Sequence, residues 1–82
     1  IGLAKWLATW LGDNSVRINV LTPGGVYNNH TKTFTKKYSE RTPLNRMAKS
    51  TEMNGILGYL MSDESSYATG QNFIIDGGYT AK

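Results

Sequence analysis

The sequence has no cysteine and a single histidine, His30. Without cysteine the chain can form neither a disulfide nor a thiolate metal site, and one histidine is too few for a zinc site. We therefore predict no metal, and we interpret His30 as a solvated loop residue. The lack of cysteine also fits a reducing compartment, so we expect a cytoplasmic protein.

Long hydrophobic runs are missing as well. No apolar run approaches the roughly 18 residues that a membrane span needs, and no signal peptide is visible. The sequence therefore predicts no membrane association. It enters helical periodicity directly at Ile1, without the Ser, Thr, Asp or Asn that usually caps a helix. This beginning is typical of the interior of a longer helix, so we expect the remainder of a parent chain to precede it.

Acidic residues are fewer than basic ones: six Asp and Glu stand against nine Lys and Arg, for a formal net charge of +3. Most of the basic residues fall between Lys32 and Lys49. Such a cluster can bind the phosphates of a cofactor or of nucleic acid. It is more often a solvated, mobile segment. Because no recognised nucleic-acid-binding motif accompanies the cluster, we favour the solvated segment and predict no nucleic-acid partner.

A chain of 82 residues forms at most one small domain, and it buries only about 60% of the surface that its unfolded form exposes. Its core is therefore predicted to be marginal when the chain stands alone. Apolar residues at helical spacing predict a first helix over about residues 1–12. Trp6 and Trp10 fall on a second face of this helix. That face would pack either against a partner helix, as from another subunit, or inside the same subunit.

Two strands and a second helix follow. Alternation of Val16, Ile18 and Val20 predicts a strand over residues 15–21, and a Pro-Gly-Gly loop ends it. A strand that runs into a glycine-rich loop is the usual ligand position in open α/β sheets. The spacing then predicts a mobile loop with one or two helical turns, a helix over about residues 50–62, and a strand over Gln71–Asp76. This order predicts an α/β fold with two parallel strands joined by a helical crossover.

Three stretches of the sequence carry a resemblance to a known family. They are residues 15–24 (SVRINVLTPG), residues 41–48 (RTPLNRMA), and residues 62–71 (SDESSYATGQ) with the following DGGY at 76–79. In this order they are similar to a strand and loop, the start of the penultimate helix, and the ending of short-chain dehydrogenases/reductases. Any one stretch is a weak signal, but together they fill the C-terminal third of that family's fold.

The resemblance implies that residues 1–82 are the C-terminal segment of a single Rossmann-like domain, a doubly wound parallel sheet that binds NAD or NADP. It implies that Pro23, Gly24, Gly25 and Val26 form the loop beside the nicotinamide. The backbone of Val26 would bind the carboxamide, which is physically sensible because a peptide N–H and C=O can grip an amide where glycines let the chain come close.

The same resemblance implies a substrate lid over about residues 28–43. Asn28 stands where the family usually has a threonine that reaches the cofactor pyrophosphate, and an amide can still donate a hydrogen bond. Phe34 and Tyr38 would face the substrate or the hinge, or serve as ordinary lid packing. The two helices would correspond to subunit interfaces of a homo-oligomer, a dimer or tetramer.

The family's catalytic pair, Tyr-x-x-x-Lys, is missing from the sequence. The residues four positions after its tyrosines are Thr31, Thr42, Asp63 and Gln71, and the chain ends three residues after Tyr79. The glycine-rich loop that would hold the pyrophosphate is missing too. Because proton donation to a substrate carbonyl needs that tyrosine, we predict no catalytic residue in this chain and no hydride transfer by the chain alone.

Two functions are therefore weighed. The leading hypothesis is part of an NAD(P)-dependent oxidoreductase that acts on a carbonyl or hydroxyl group of a small-molecule substrate. This part contributes the nicotinamide-side loop, the lid and an oligomer interface. The alternative is a non-catalytic interaction module that assembles through its helices.

Overall fold

The computed structural model describes residues 1–81, and Lys82, the last residue of the predicted segment, lies outside the described residues. In chain order the helices and strands are α1 (Gly2–Leu11), β1 (Val20–Pro23), α2 (Lys32–Glu40), α3 (Asn54–Met61) and β2 (Asn72–Ile75), with short 3-10 turns between some of them. Within this described range, none of the helices combines the length and the hydrophobicity required to cross a bilayer.

The two strands pair as a two-stranded sheet. The Val20 N–H donates to the Gln71 carbonyl at 2.8 Å, and the Gly24 N–H donates to the Ile75 carbonyl at 2.9 Å. The acceptor advances by four residues when the donor does, which is the register of a parallel pair. The prediction of two neighbouring parallel strands is confirmed, and the α/β order of elements agrees with it.

The first strand begins later than predicted. Residues 15–21 were expected to be extended, but β1 starts at Val20. Upstream of it, side chains replace part of the backbone ladder. The Ile18 N–H donates to the Thr69 hydroxyl at 3.1 Å, and the Asn19 side chain both donates to the Ala68 carbonyl at 2.8 Å and accepts from the Gln71 N–H at 3.1 Å. Alternating apolar residues therefore marked the segment correctly but not the backbone pairing within it.

The chain divides into two compact units. The first unit consists of Ile1–Leu21 with Asn54–Phe73, and the second unit consists of Thr22–Met53 with Ile74–Lys82. Among the described residues, the buried hydrophobic side chains are Ala8 in the first unit and Met47 and Met53 in the second. So few buried apolar groups supply little of the hydrophobic free energy that must offset chain entropy. The chain alone is therefore expected to be only marginally stable.

Helix α1 carries the second apolar face that the sequence predicts. It has no side-chain cap at its start, and it passes at its end into a 3-10 turn that stops at Ser15, whose φ is +60°. The rings of Trp6 and Trp10 stack at a centroid distance of 5.5 Å, yet they are 59% and 66% exposed. Within this chain, the two rings therefore cover each other but leave the face open.

The segment between β1 and the second predicted helix is more ordered than predicted. Instead of one or two helical turns, it contains the nine-residue helix α2. The Thr31 hydroxyl accepts a hydrogen bond from the Phe34 N–H at 3.2 Å, which satisfies a donor that the first helical turn leaves free. This threonine cap was the signal in the sequence that the prediction overlooked.

Candidate functional site

The loop after β1 passes very close to the end of β2. A Cβ built on Gly24 would lie 2.7 Å from the Cα of Asp76, nearer than side-chain carbons approach a backbone. Gly24 also donates the hydrogen bond that joins it to Ile75 at 2.9 Å. Only glycine fits this position without a backbone shift. The packing of the fold therefore requires the first glycine of the predicted Pro-Gly-Gly loop.

Gly25 and Tyr38, two of the residues predicted from the resemblance, lie in contact. The Gly25 N–H donates to the Tyr38 hydroxyl at 2.5 Å, and a Cβ on Gly25 would overlap the Tyr38 ring. On its other side, the Tyr38 ring stacks on Tyr79 at a centroid distance of 5.5 Å. One tyrosine of α2 is therefore fixed both to the glycine loop and to the segment after β2.

The backbone N–H and C=O of Val26 point away from Ala48, the residue with which Val26 pairs. It forms an isolated parallel bridge with Ala48, in which the Tyr27 N–H donates to the Ala48 carbonyl and the Ala48 N–H donates to the Gly25 carbonyl, both at 2.9 Å. In such a bridge, the N–H and C=O of the central residue point to the opposite side. No described residue hydrogen-bonds to these two groups of Val26. Within residues 1–81 the loop thus leaves one donor and one acceptor without a hydrogen-bond partner.

Asn28 lies outside this contact. Its N–H donates to Nδ1 of His30 at 3.3 Å, and its side chain is exposed. The His30 ring lies 4.8 Å from the Phe34 ring and 6.2 Å from the Tyr27 ring, measured between centroids. His30 therefore lies in a loop, as interpreted, but it is half-buried between aromatic rings rather than fully solvated.

The remaining predicted residues lie at the edges of the loop and of α2. Pro23 ends β1 and is exposed. Phe34 is 43% exposed, and its ring lies 6.2 Å from that of Tyr38. Both rings belong to one face of α2, four residues apart, as the spacing predicted.

Asp76 fixes the turn that follows β2. Its carboxylate accepts hydrogen bonds from the Thr80 hydroxyl at 2.7 Å, the Thr80 N–H at 3.0 Å and the Gly78 N–H at 3.0 Å. The bond from the Thr80 hydroxyl is the largest of the effects that lower the pKa of Asp76. Gly78, at φ +90°, leaves no room for a Cβ beside Pro43. Asp76, Gly77 and Gly78 therefore form a structural turn, and Asp76 packs directly against Gly24.

Arg46 and Glu52 form an ion pair near the same loop. The guanidinium donates two hydrogen bonds to the carboxylate, at 2.6 and 2.9 Å, and Glu52 also accepts from the Lys49 N–H at 2.9 Å. The Arg46 hydrogen bond, followed by that of Lys49, lowers the pKa of Glu52 to about 2. Both side chains, with Gly24 and Gly25, line a cavity of about 120 Å³.

The depressed pKa of Glu52 gives a pH-dependent contribution to stability. It is fully present above the unfolded pKa of 4.5 and declines as the pH falls toward about 2. We expect Glu52→Gln to lose less stability than the natural protein between pH 6 and pH 3, measured by denaturant unfolding at both pH values. The control is Glu40→Gln, since Glu40 has no ion pair within residues 1–81. Equal losses in the Glu52 variant and the natural protein would contradict the expectation.

Arg17 is a structural residue that the sequence analysis did not single out. Its guanidinium donates to the Ser65 hydroxyl at 2.9 Å, the Ala68 carbonyl at 3.2 Å and the Ser62 carbonyl at 3.5 Å. Ser65 is fully buried. Arg17 thus joins the first and third of the stretches on which the resemblance rests. The pattern named both stretches but gave no signal that they touch.

Known proteins resemble this chain over almost its whole length. A family model described as enoyl-(acyl carrier protein) reductase matches residues 1–80. The chain is 38% identical to a short-chain dehydrogenase from Leptospira borgpetersenii solved with bound NAD+, covering 96% of this chain and 31% of that one with a TM-score of 0.92. It is 30% identical to 4-hydroxyisoleucine dehydrogenase complexed with NADH, covering 99% of this chain and 36% of that one with a TM-score of 0.89.

A curated relative gives the same result. The chain is 40% identical over 80 residues to 3-alpha-(or 20-beta)-hydroxysteroid dehydrogenase of Mycobacterium tuberculosis, covering 98% of this chain and 30% of that protein. The chain belongs to the short-chain dehydrogenase/reductase family, and the predicted Rossmann-like α/β fold class is confirmed. It spans about a third of the length of the relatives it matches. The predicted nicotinamide cofactor agrees with the NAD+ and NADH of the two solved relatives.

Proposed function

We propose that this chain is the C-terminal third of an NAD(P)-dependent oxidoreductase that acts on a carbonyl or hydroxyl group of a small molecule. Pro23, Gly24, Gly25 and Val26 form its nicotinamide-side loop, and Asn28 lies on the pyrophosphate side. The lid spans about residues 28–43. Both helices of the first unit contribute to assembly as a dimer or tetramer. The protein works in the cytoplasm, without nucleic acid or membrane.

The backbone of Val26 is the observation that carries this proposal. Its N–H and C=O point away from the bridge to Ala48, and no described residue occupies them. A carboxamide offers the complementary pair, a carbonyl acceptor and an NH₂ donor. The loop follows the carboxyl end of β1, which is where open α/β sheets bind their ligands. Gly24 and Gly25 keep side chains out of that approach.

The residues of this chain orient the cofactor and the substrate, and none of them takes part in the bond changes. The nicotinamide, when bound, supplies or accepts the hydride. Val26 would hold the carboxamide through its backbone and so orient the bound nicotinamide relative to the substrate. The Tyr38 hydroxyl accepts a hydrogen bond from the Gly25 N–H and so holds α2 against the loop. The lid would then lie next to the bound substrate. The proton donor belongs to the part of the parent that carries Tyr-x-x-x-Lys.

Replacing Val26 by proline tests the carboxamide contact. In the protein that carries this chain, Val26→Pro removes an N–H that the bridge to Ala48 does not use. We expect its Kd for NADH to rise about tenfold or more, since an unmade buried hydrogen bond costs about 1–3 kcal/mol. The measurement is fluorescence titration with NADH.

Two controls accompany that titration. Val26→Ala keeps the backbone N–H and should bind NADH as the natural protein does. ADP-ribose lacks the nicotinamide, so its Kd should be the same in the proline variant and the natural protein if the fold is intact. An unchanged NADH affinity in Val26→Pro, with ADP-ribose still bound, would contradict the proposed role of Val26.

The 82-residue chain alone is expected to catalyse no hydride transfer. It has no Tyr-x-x-x-Lys pair and no glycine-rich loop for the pyrophosphate. The assay follows the absorbance of NADH and NADPH with a panel of carbonyl compounds, on the chain and on the protein that carries it. Turnover by the chain alone would contradict the proposal. Absence of turnover by the longer protein would instead favour a non-catalytic module, for which the exposed Trp6 and Trp10 are the supporting observation.

A further inference from the structure

The lid helix α2 forms one wall of a groove of about 450 Å³. Relative to Phe34, Lys37, Tyr38 and the capping residue Arg41 stand three, four and seven residues further on, so they share one face of the helix. Tyr79, whose ring stacks on that of Tyr38, also lines the groove. This volume is that of a site for a small organic molecule rather than for a single ion.

The groove combines aromatic rings with unpaired positive charge. Phe34, Tyr38 and Tyr79 form a row, with centroid distances of 6.2 Å and 5.5 Å between successive rings. Lys37 and Arg41 are exposed at its edge, and neither takes part in an ion pair within residues 1–81. Flat rings favour an apolar or aromatic body, while two cations favour an oxyanion, which a guanidinium can bind through two parallel hydrogen bonds.

We propose that this groove binds a substrate with an oxyanion group, a carboxylate or phosphate, attached to a flat apolar body. The rings of Phe34, Tyr38 and Tyr79 contact the body, and Lys37 and Arg41 bind the anion. This inference rests on the proposed function only in taking the groove for the substrate side of the lid. It adds a charge requirement that the nicotinamide loop does not impose.

Lys36 provides a matched control on the same helix. It carries the same charge one residue before Lys37 but does not line the groove. Lys37 lies in the last turn of α2, and Lys36 directly precedes it. The two lysines therefore differ little in their distance from the end of the helix dipole and mainly in the face of the helix that they occupy.

Isothermal titration calorimetry on the protein that carries this chain, without any cofactor, tests the proposal. The probes are 2-naphthoate, 2-naphthyl phosphate and the neutral 2-naphthylmethanol, which share one flat body. We expect at least one anion to bind ten times more tightly than the alcohol. That preference should fall at least fivefold in Lys37→Gln and in Arg41→Gln but not in Lys36→Gln. The stronger of the two anions identifies a carboxylate or a phosphate substrate.

Equal affinity for the three probes would overturn the proposal. So would an equal loss of anion preference in the Lys36 variant, because the charge would then act without a defined site. Neither result would bear on the Val26 titration, which uses NADH and ADP-ribose in a different part of the second unit. Failure of the groove and failure of the nicotinamide loop are therefore distinguishable.

Discussion

Gly24→Ala is expected to lower the free energy of unfolding by about 3 kcal/mol, the upper part of the usual range for overpacking. The added Cβ would lie 2.7 Å from the Cα of Asp76 and 2.8 Å from its Cβ. The first of these atoms is backbone and cannot rotate away, so β1 and β2 must separate at their carboxyl ends. Denaturant unfolding measures the loss, and NADH affinity should fall with it because Val26 follows two residues later.

Gly55→Ala is the matched control for that substitution. Gly55 lies within α3, and a Cβ built there meets no described heavy atom within 4 Å. Alanine in a helix interior is favoured over glycine by about 1 kcal/mol. We therefore expect the same chemical change to stabilise the protein at residue 55. If Gly24→Ala were as well tolerated as Gly55→Ala, the close approach of the two strand ends would be wrong.

Arg17→Ala is expected to cost about 2–3 kcal/mol of unfolding free energy. The substitution removes three hydrogen bonds from a charged donor, and hydrogen bonds to charged groups are stronger than neutral ones. One of the acceptors is the hydroxyl of the fully buried Ser65, which keeps bonds only to the Leu60 and Ser62 carbonyls. Thermal or denaturant unfolding of the protein measures this effect.

Two further variants separate the geometry of Arg17 from its charge. Arg17→Lys keeps the charge but not the planar fork that reaches several acceptors, so an intermediate loss is expected. Lys36→Ala removes an exposed charge from α2, and its effect should stay within about 0.5 kcal/mol. A loss in Arg17→Ala no larger than that in Lys36→Ala would show that the bonds to Ser65 and Ala68 contribute nothing.

Periodicity was sufficient to predict helix α1 and the second strand. Helix α1 and the strand over residues 72–75 appear almost where the spacing placed them. The beginning of β1 was not predictable in this way, because side chains of Asn19 and Thr69 take over hydrogen bonds that the alternation assigned to backbone. Hydrophobic alternation reports which face is buried and carries no information on which polar atoms pair.

The site was only partly accessible from the sequence. Taken by itself, the Pro-Gly-Gly loop after the strand favoured a plain strand-ending turn, and only the family resemblance implied a place beside the nicotinamide and a role for Val26. The hydrogen bond between Gly25 and Tyr38 joins residues thirteen positions apart, so it depends on how α2 folds back. The half-buried position of His30 likewise follows from the rings around it and not from any local pattern.

The most direct test of the central claim is an NMR spectrum of the ¹⁵N-valine-labelled protein that carries this chain. The amide signal of Val26 is assigned by its loss in Val26→Ala. We predict that NAD+ shifts this signal and that ADP-ribose, which lacks the nicotinamide, does not, while the signal of Val20 responds alike to both. The same response of Val26 to NAD+ and to ADP-ribose would show that its N–H does not meet the carboxamide.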